Sequence, residues 1–231
     1  RDLTLKFIAN KFDDVRYIAY IEDDAFIDSE CLRLLINALE ILPKDYALIS
    51  PERGARLCID FVVNKVLSSN RLYVASTGGS GVYVIRADVI RKLIEMGLGT
   101  YSSFMFFHWE DIEFVLKLWL LGYKTVSYEL KCYRHIGETS HSKPLHRRYT
   151  EYNGPLIAII ANTPYSITIK ALLVRFIRDI LKSILRGEIF LFLRSYLFLA
   201  LNLKHILTHR MLRRRIYNFK LCKVIISNCI K

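Results

Sequence analysis

Apolar and polar positions follow two rhythms in the first 130 residues and a third after about residue 162. Residues 17–21 (YIAYI) are a short apolar, β-prone run that stops at Glu22, Asp23 and Asp24, which predicts a buried strand ending in a loop. Leu32, Leu35, Ile36, Leu39 and Leu42 recur at helical spacing, so a helix is expected from a Ser29 cap to about Leu42, stopped by Pro43. Further strands are predicted at 46–50 (YALIS), 57–63 (LCIDFVV), 71–76 (RLYVAS) and 82–86 (VYVIR), the last two flanking a turn at Thr77–Gly81. Ala87 to Met96 reads as a helix closed by Gly97 at the position just past its end. Glu110 to Leu121 reads the same way with Gly122, and 124–129 (KTVSYE) returns as a strand. Strands alternating with short helices predict an α/β sheet with helices packed on it.

From Ile167 to Leu203 the chain becomes a nearly unbroken amphipathic stretch, rich in Leu, Ile and Phe and studded with arginine. Its most apolar part, 189–203 (IFLFLRSYLFLALNL), is short and contains Arg194, where a spanning helix needs about 20 apolar residues. One or two helices lying in a membrane interface fit this pattern. A helical subdomain with its apolar face on the sheet is the competing expectation. No internal repeat and no low-complexity linker interrupts the chain. The division expected is 1–162 as a catalytic region and 163–231 as a basic, amphipathic, membrane-associated tail.

Composition sharpens this picture. The chain is 52% hydrophobic with few Gly or Pro, which excludes a disordered protein. The net charge of +12 is unevenly spread: residues 1–130 balance at −3 and residues 131–231 at +15. The basic part calls for an anionic partner, whether phosphate, lipid headgroup or nucleic acid. Arg210, Arg213, Arg214 and Arg215 would each add about 1 kcal/mol of attraction to an anionic membrane surface. Nucleic acid is the weaker reading, because these arginines lie within aliphatic runs without aromatic stacking platforms on strands. Cys31, Cys58, Cys132, Cys222 and Cys229 are odd in number and widely spaced, which indicates neither a zinc site nor a disulfide framework. Idle thiols in a reducing compartment are expected, and residues 1–16 do not read as a signal peptide.

Two constellations carry candidate chemistry. Acids at the carboxyl end of a strand suit a hard cation such as Mg²⁺ or Mn²⁺, with Glu22 and Asp24 on one side and Asp23 facing away; a solvated loop is the plain alternative. Residues 106–123 (FFHWEDIEFVLKLWLLGY) bring Glu110 and Asp111 to a helix start, where the dipole favours anions. The ordered set of Glu22-Asp23-Asp24, Gly78-Gly79-Ser80-Gly81, and Glu110-Asp111 with Gly122-Tyr123 resembles the family 2 glycosyltransferases over residues ~1–160.

That resemblance implies the A-type glycosyltransferase fold and an inverting, metal-dependent transfer of a sugar from a nucleotide-sugar donor to a glycan or lipid-linked acceptor. It implies Glu22, Asp24 and His135 (within YRHIGETSH) as metal ligands and Asp111 as the general base. Substrate contacts fall to Asp23, Gly78, Gly79, Ser80, Trp109 and Glu110, with Trp109 stacking on a sugar ring and His108 near the metal. The segment around Asn153 resembles the family's Arg-Asn pair, with Tyr152 in the place of Arg. The first acid, Glu22, stands where the family has Asp. The family's nucleotide-binding strands form a long stretch before the metal motif, whereas about twenty residues precede it here. A fragment, a second polypeptide supplying that half, and a catalytically silent subunit are all compatible with this. The expected location is the cytoplasm, on the inner face of the cell membrane.

Overall fold

Buried β-branched and aromatic runs place a mixed sheet at the centre of the molecule. A computed structural model describes residues 2–12, 14–51, 72–74, 81–102, 110–128, 130–135, 144–163 and 165–214. Five strands form one sheet: β1 (Tyr17–Ile21), β3 (Tyr46–Ser50), β4 (Leu72–Val74), β5 (Val82–Arg86) and β6 (Lys124–Tyr128). They lie in the order β1-β5-β3-β6-β4, parallel only between β3 and β6. A separate ribbon pairs β2 (Ala25–Ile27) with β7 (Tyr133–His135). The strand expected at 57–63 lies outside the described residues.

Both faces of the sheet are covered, which is why β5 is buried at all five positions. Leu48, Tyr83 and Ile85 meet α1 (Asp2–Lys11), α3 (Ala87–Glu95) and α4 (Glu110–Leu120) on one face. Ile49, Val84 and Val126 meet α2 (Ser29–Ile41) on the other. Leu35 and Leu39 of α2 are fully enclosed, and burying each contributes about 2 kcal/mol.

The helix ends explain much of the local geometry. Gly97 and Gly122 sit at φ +67° and +90°, the left-handed region that side chains avoid. Leu98 N–H reaches back to Leu93 O and Tyr123 N–H to Leu118 O, both 3.0 Å, closing α3 and α4 as expected. The α2 cap differs from expectation. Asp28, with extended backbone, is the capping residue and Ser29 is already helical. At the other end, the buried Arg86 donates to the carbonyls of Leu39, Leu42 and Tyr46. A cation is favoured at a helix C-terminus, so one guanidinium joins β5, α2 and β3.

The cysteine expectation is corrected. Cys31 and Cys132, 101 residues apart, form a disulfide with Cα atoms 5.8 Å apart. It joins the first turn of α2 to the turn before β7, and Asp28 N–H bonds Cys132 O beside it. The spacing rule failed because the pair is made by the fold and not by neighbouring residues. The reducing-compartment reading rested on unpaired thiols and loses that support.

The helical region begins earlier than its apolar sequence suggests. α5 (Pro144–Asn162), α6 (Tyr165–Leu185) and α7 (Ile189–Arg214) pack together. Leu156, Ile157 and Ile160 of α5 meet Leu199 and Ile206 of α7, with Leu116 of α4 beside them. The helix before residue 162 is thus bound to those after it. Pro155 inside α5 masks it as a helix in sequence.

Candidate metal and acid site

Three separate stretches of chain meet at the end of β1. Register pairs Ile21 with Val82, and Glu22 N–H then donates to Gly81 O at 2.8 Å. This seats the acid loop against the last residue of the glycine turn. The chain reverses over Glu22–Ala25, with Ala25 N–H on Glu22 O at 3.1 Å. Ala25 in turn lies opposite His135 in the β2–β7 ribbon. Glu22 and Asp24 are half-buried and Asp23 is exposed. Gly78, Gly79, Ser80 and Trp109 lie outside the described residues, as do His108 and the side chain of His135.

An aromatic layer connects this loop to α4. Tyr20, two residues before Glu22, stacks on Tyr83 with ring centroids 4.9 Å apart. Tyr83 shares a 2.8 Å hydroxyl hydrogen bond with Tyr101, and Tyr101 packs on Phe114 at 5.2 Å. Phe114 lies three residues beyond Asp111, which with Glu110 opens α4 and is half-buried.

The polar centre that fixes α4 escaped sequence reading. Glu113 and Lys117 have no solvent exposure and face each other at 3.6 Å. Ser102 Oγ donates to Glu113 Oε2 at 2.8 Å and Asn162 Nδ2 to Glu113 Oε1 at 3.2 Å. Lys117 Nζ donates to the carbonyls of Gly99 and Thr100 at 3.2 and 2.9 Å. A buried ion pair is tolerated only when its remaining donors and acceptors are met, and here they hold the chain before α4 and the end of α5. The one available signal was the Glu–Lys spacing of four, which gives a pair but not its burial.

Among the described residues no group of three His, Cys, Asp or Glu side chains could hold a metal ion. The donor set of Glu22 and Asp24 still suits Mg²⁺ or Mn²⁺, because such ions are commonly held by one or two carboxylates with substrate phosphates and water completing the shell.

Comparison of the chain with family models, with curated proteins and with solved structures finds no match.

Proposed function

We propose that this chain is the metal-dependent, inverting transfer unit of an A-type glycosyltransferase, moving a sugar from a nucleotide-sugar donor to a glycan or lipid-linked acceptor. The observation that carries the reading is the meeting of the acid loop, Gly81 and the His135 strand at one end of β1. Chain segments more than fifty and more than one hundred residues apart converge on the acids that the sequence pattern selects. The mixed α/β sheet is compatible with the proposed fold.

In this mechanism Glu22 and Asp24, with His135, would hold the cation. A bound Mg²⁺ or Mn²⁺ would supply positive charge opposite the departing diphosphate. Asp111 takes the proton from the acceptor hydroxyl on the far face of the sugar, so single displacement inverts the anomeric centre. Glu110 binds acceptor hydroxyls, Trp109 stacks on a sugar ring, and Asp23 with Gly78, Gly79 and Ser80 line the substrate. The α4 polar centre fixes the rigid base from which Asp111 works.

The test is nucleoside diphosphate release from sugar nucleotides by the purified chain with Mn²⁺ or Mg²⁺. Metal-dependent release should fall about 10²–10⁴-fold in Asp111→Asn. No release from any donor would leave a silent subunit as the better reading. Activity within tenfold of the parent in Asp111→Asn would remove Asp111 from the base role.

A further inference from the structure

The helices α6 and α7 each leave a line of large apolar residues on their outer side. On α6, Ile169, Leu173, Ile177 and Ile184 recur at intervals of four and seven residues along one line, and all four are exposed. On α7, Phe190, Leu193, Leu197 and Leu201 recur at intervals of three and four residues and are likewise exposed, Leu197 60% and Leu201 76%. The inward side of α6 instead carries Thr168, Asp179 and Ser183, all buried. Arg175 donates to Asp179 at 2.8 Å and to Glu151 O at 2.7 Å, and Lys182 reaches Glu151 at 2.9 Å. Tyr152 donates to the buried Glu188 at 2.9 Å.

Charge follows the same division. Asp179 and Glu188 are the only carboxylates between residues 165 and 214, and both are buried. The exposed side of the pair therefore presents no acid, while Lys170, Arg178, Arg194 and Lys204 are exposed. Apolar lines bordered by cations alone fit a layer that is apolar inside and anionic at its boundary.

We infer that the α6–α7 face lies in the plane of an anionic lipid bilayer, its leucines and isoleucines below the headgroups and its lysines and arginines among them. Residues 189–210 are long and apolar enough to cross a membrane. The exposed Arg194 and Lys204 are only ten residues apart, however, or about 15 Å of helix. A bilayer core is about 30 Å thick, so a spanning helix would draw both cations inside the hydrocarbon, whereas a helix lying in the plane leaves both at the headgroups. This placement stands on α6 and α7 alone and survives failure of the transferase reading.

Arg210 takes no part in this contact, contrary to the sequence expectation. It is 3% exposed, stacks 3.7 Å over the Tyr165 ring and donates to Thr163 O, joining the end of α7 to the start of α6. Arg215 and the side chains of Arg213 and Arg214 lie outside the described residues.

The test uses the full chain with vesicles of phosphatidylcholine alone and mixed with phosphatidylglycerol, read by co-sedimentation. Binding should require the anionic lipid and weaken with salt. Leu173→Gln with Leu197→Gln should lower the partition coefficient at least tenfold without changing the melting temperature, since both residues are exposed. Arg194→Glu with Lys204→Glu should abolish the salt-sensitive part. A chain left in the supernatant by anionic vesicles overturns the inference. So does a self-associated species that the leucine variants split without any vesicle binding, because the face then belongs to a second copy. Retention on vesicles through an alkaline wash would overturn the in-plane placement in favour of a spanning one.

Discussion

The sheet region and the α6–α7 pair bury charge in opposite ways. Around the sheet, apolar residues from both faces make the core, and Glu113 with Lys117 forms one enclosed ionic centre within it. In the helical pair α6 turns the polar Thr168, Asp179 and Ser183 inward, α7 packs Leu199 and Ile206 on α5, and both helices leave further lines of apolar residues pointing away from the protein. Hydrophobic burial therefore holds the first region together, while hydrogen bonds and ion pairs orient much of the second. The difference is one of exposed surface: the sheet region encloses its apolar residues, whereas α6 and α7 leave part of theirs outside.

The largest effect expected separates the two regions. Asp24→Ala should weaken Mn²⁺ or Mg²⁺ binding in calorimetry and lower transfer by more than about 10²-fold, while vesicle binding stays unchanged. Glu22→Ala should act in the same direction, less completely. Unchanged metal affinity in both would return the acid loop to plain solvated backbone.

A smaller effect compares two of the buried carboxylates, Glu113 and Asp179. Glu113→Ala leaves Lys117 enclosed without its partner and should cost about 3–5 kcal/mol in chemical denaturation. Asp179→Ala should cost clearly less, because Arg175 retains the Glu151 carbonyl and partial access to solvent. Equal costs would mean that the two interiors do not differ as described.

The disulfide should matter at a comparable or slightly lower level. Cys31→Ser removes a link closing a long loop and should cost about 2–5 kcal/mol, seen as a lower melting temperature under oxidising conditions. The same variant should match the parent once both are reduced. A parent insensitive to reductant would show that the bond contributes nothing to stability.

The smallest expected effect is a pH slope. Burial raises the Asp179 carboxyl above its ordinary value of 3.8, against the opposing pull of Arg175. The folded chain then binds this proton more readily than the unfolded chain. Stability should therefore fall as pH rises from 3.8 through the raised folded value, and the cost should be constant above it. Asp179→Asn should flatten that part of the stability–pH curve. An unaltered slope would place the titration elsewhere.

The local elements were legible because their causes are local. Alternating or continuous apolar residues marked β1, β3, β5 and β6, and helical spacing followed by Gly97 or Gly122 marked α3 and α4. The three-residue strands of the β2–β7 ribbon carry too little pattern to be seen, and Pro155 hid α5. Of the candidate site, the identity and order of its acids were readable. Their meeting with Gly81 and the His135 strand was not.

What the sequence determined by itself was thus the longer patterned elements β1, β3, β5, β6, α2, α3 and α4, the acid motifs and the uneven charge, since each element and motif depends on residues within a few positions of one another. Tertiary structure decided the pairing of Cys31 with Cys132, the register of Ala25 with His135 and the enclosure of Glu113 and Lys117. It also decided which side of α6 faces inward. An amphipathic repeat defines two faces but not which one the protein keeps, because that choice depends on what the neighbouring helices offer. Here α5 and α7 offer Glu151, Tyr196 and backbone carbonyls, so the polar face turned in and the apolar face was left outside.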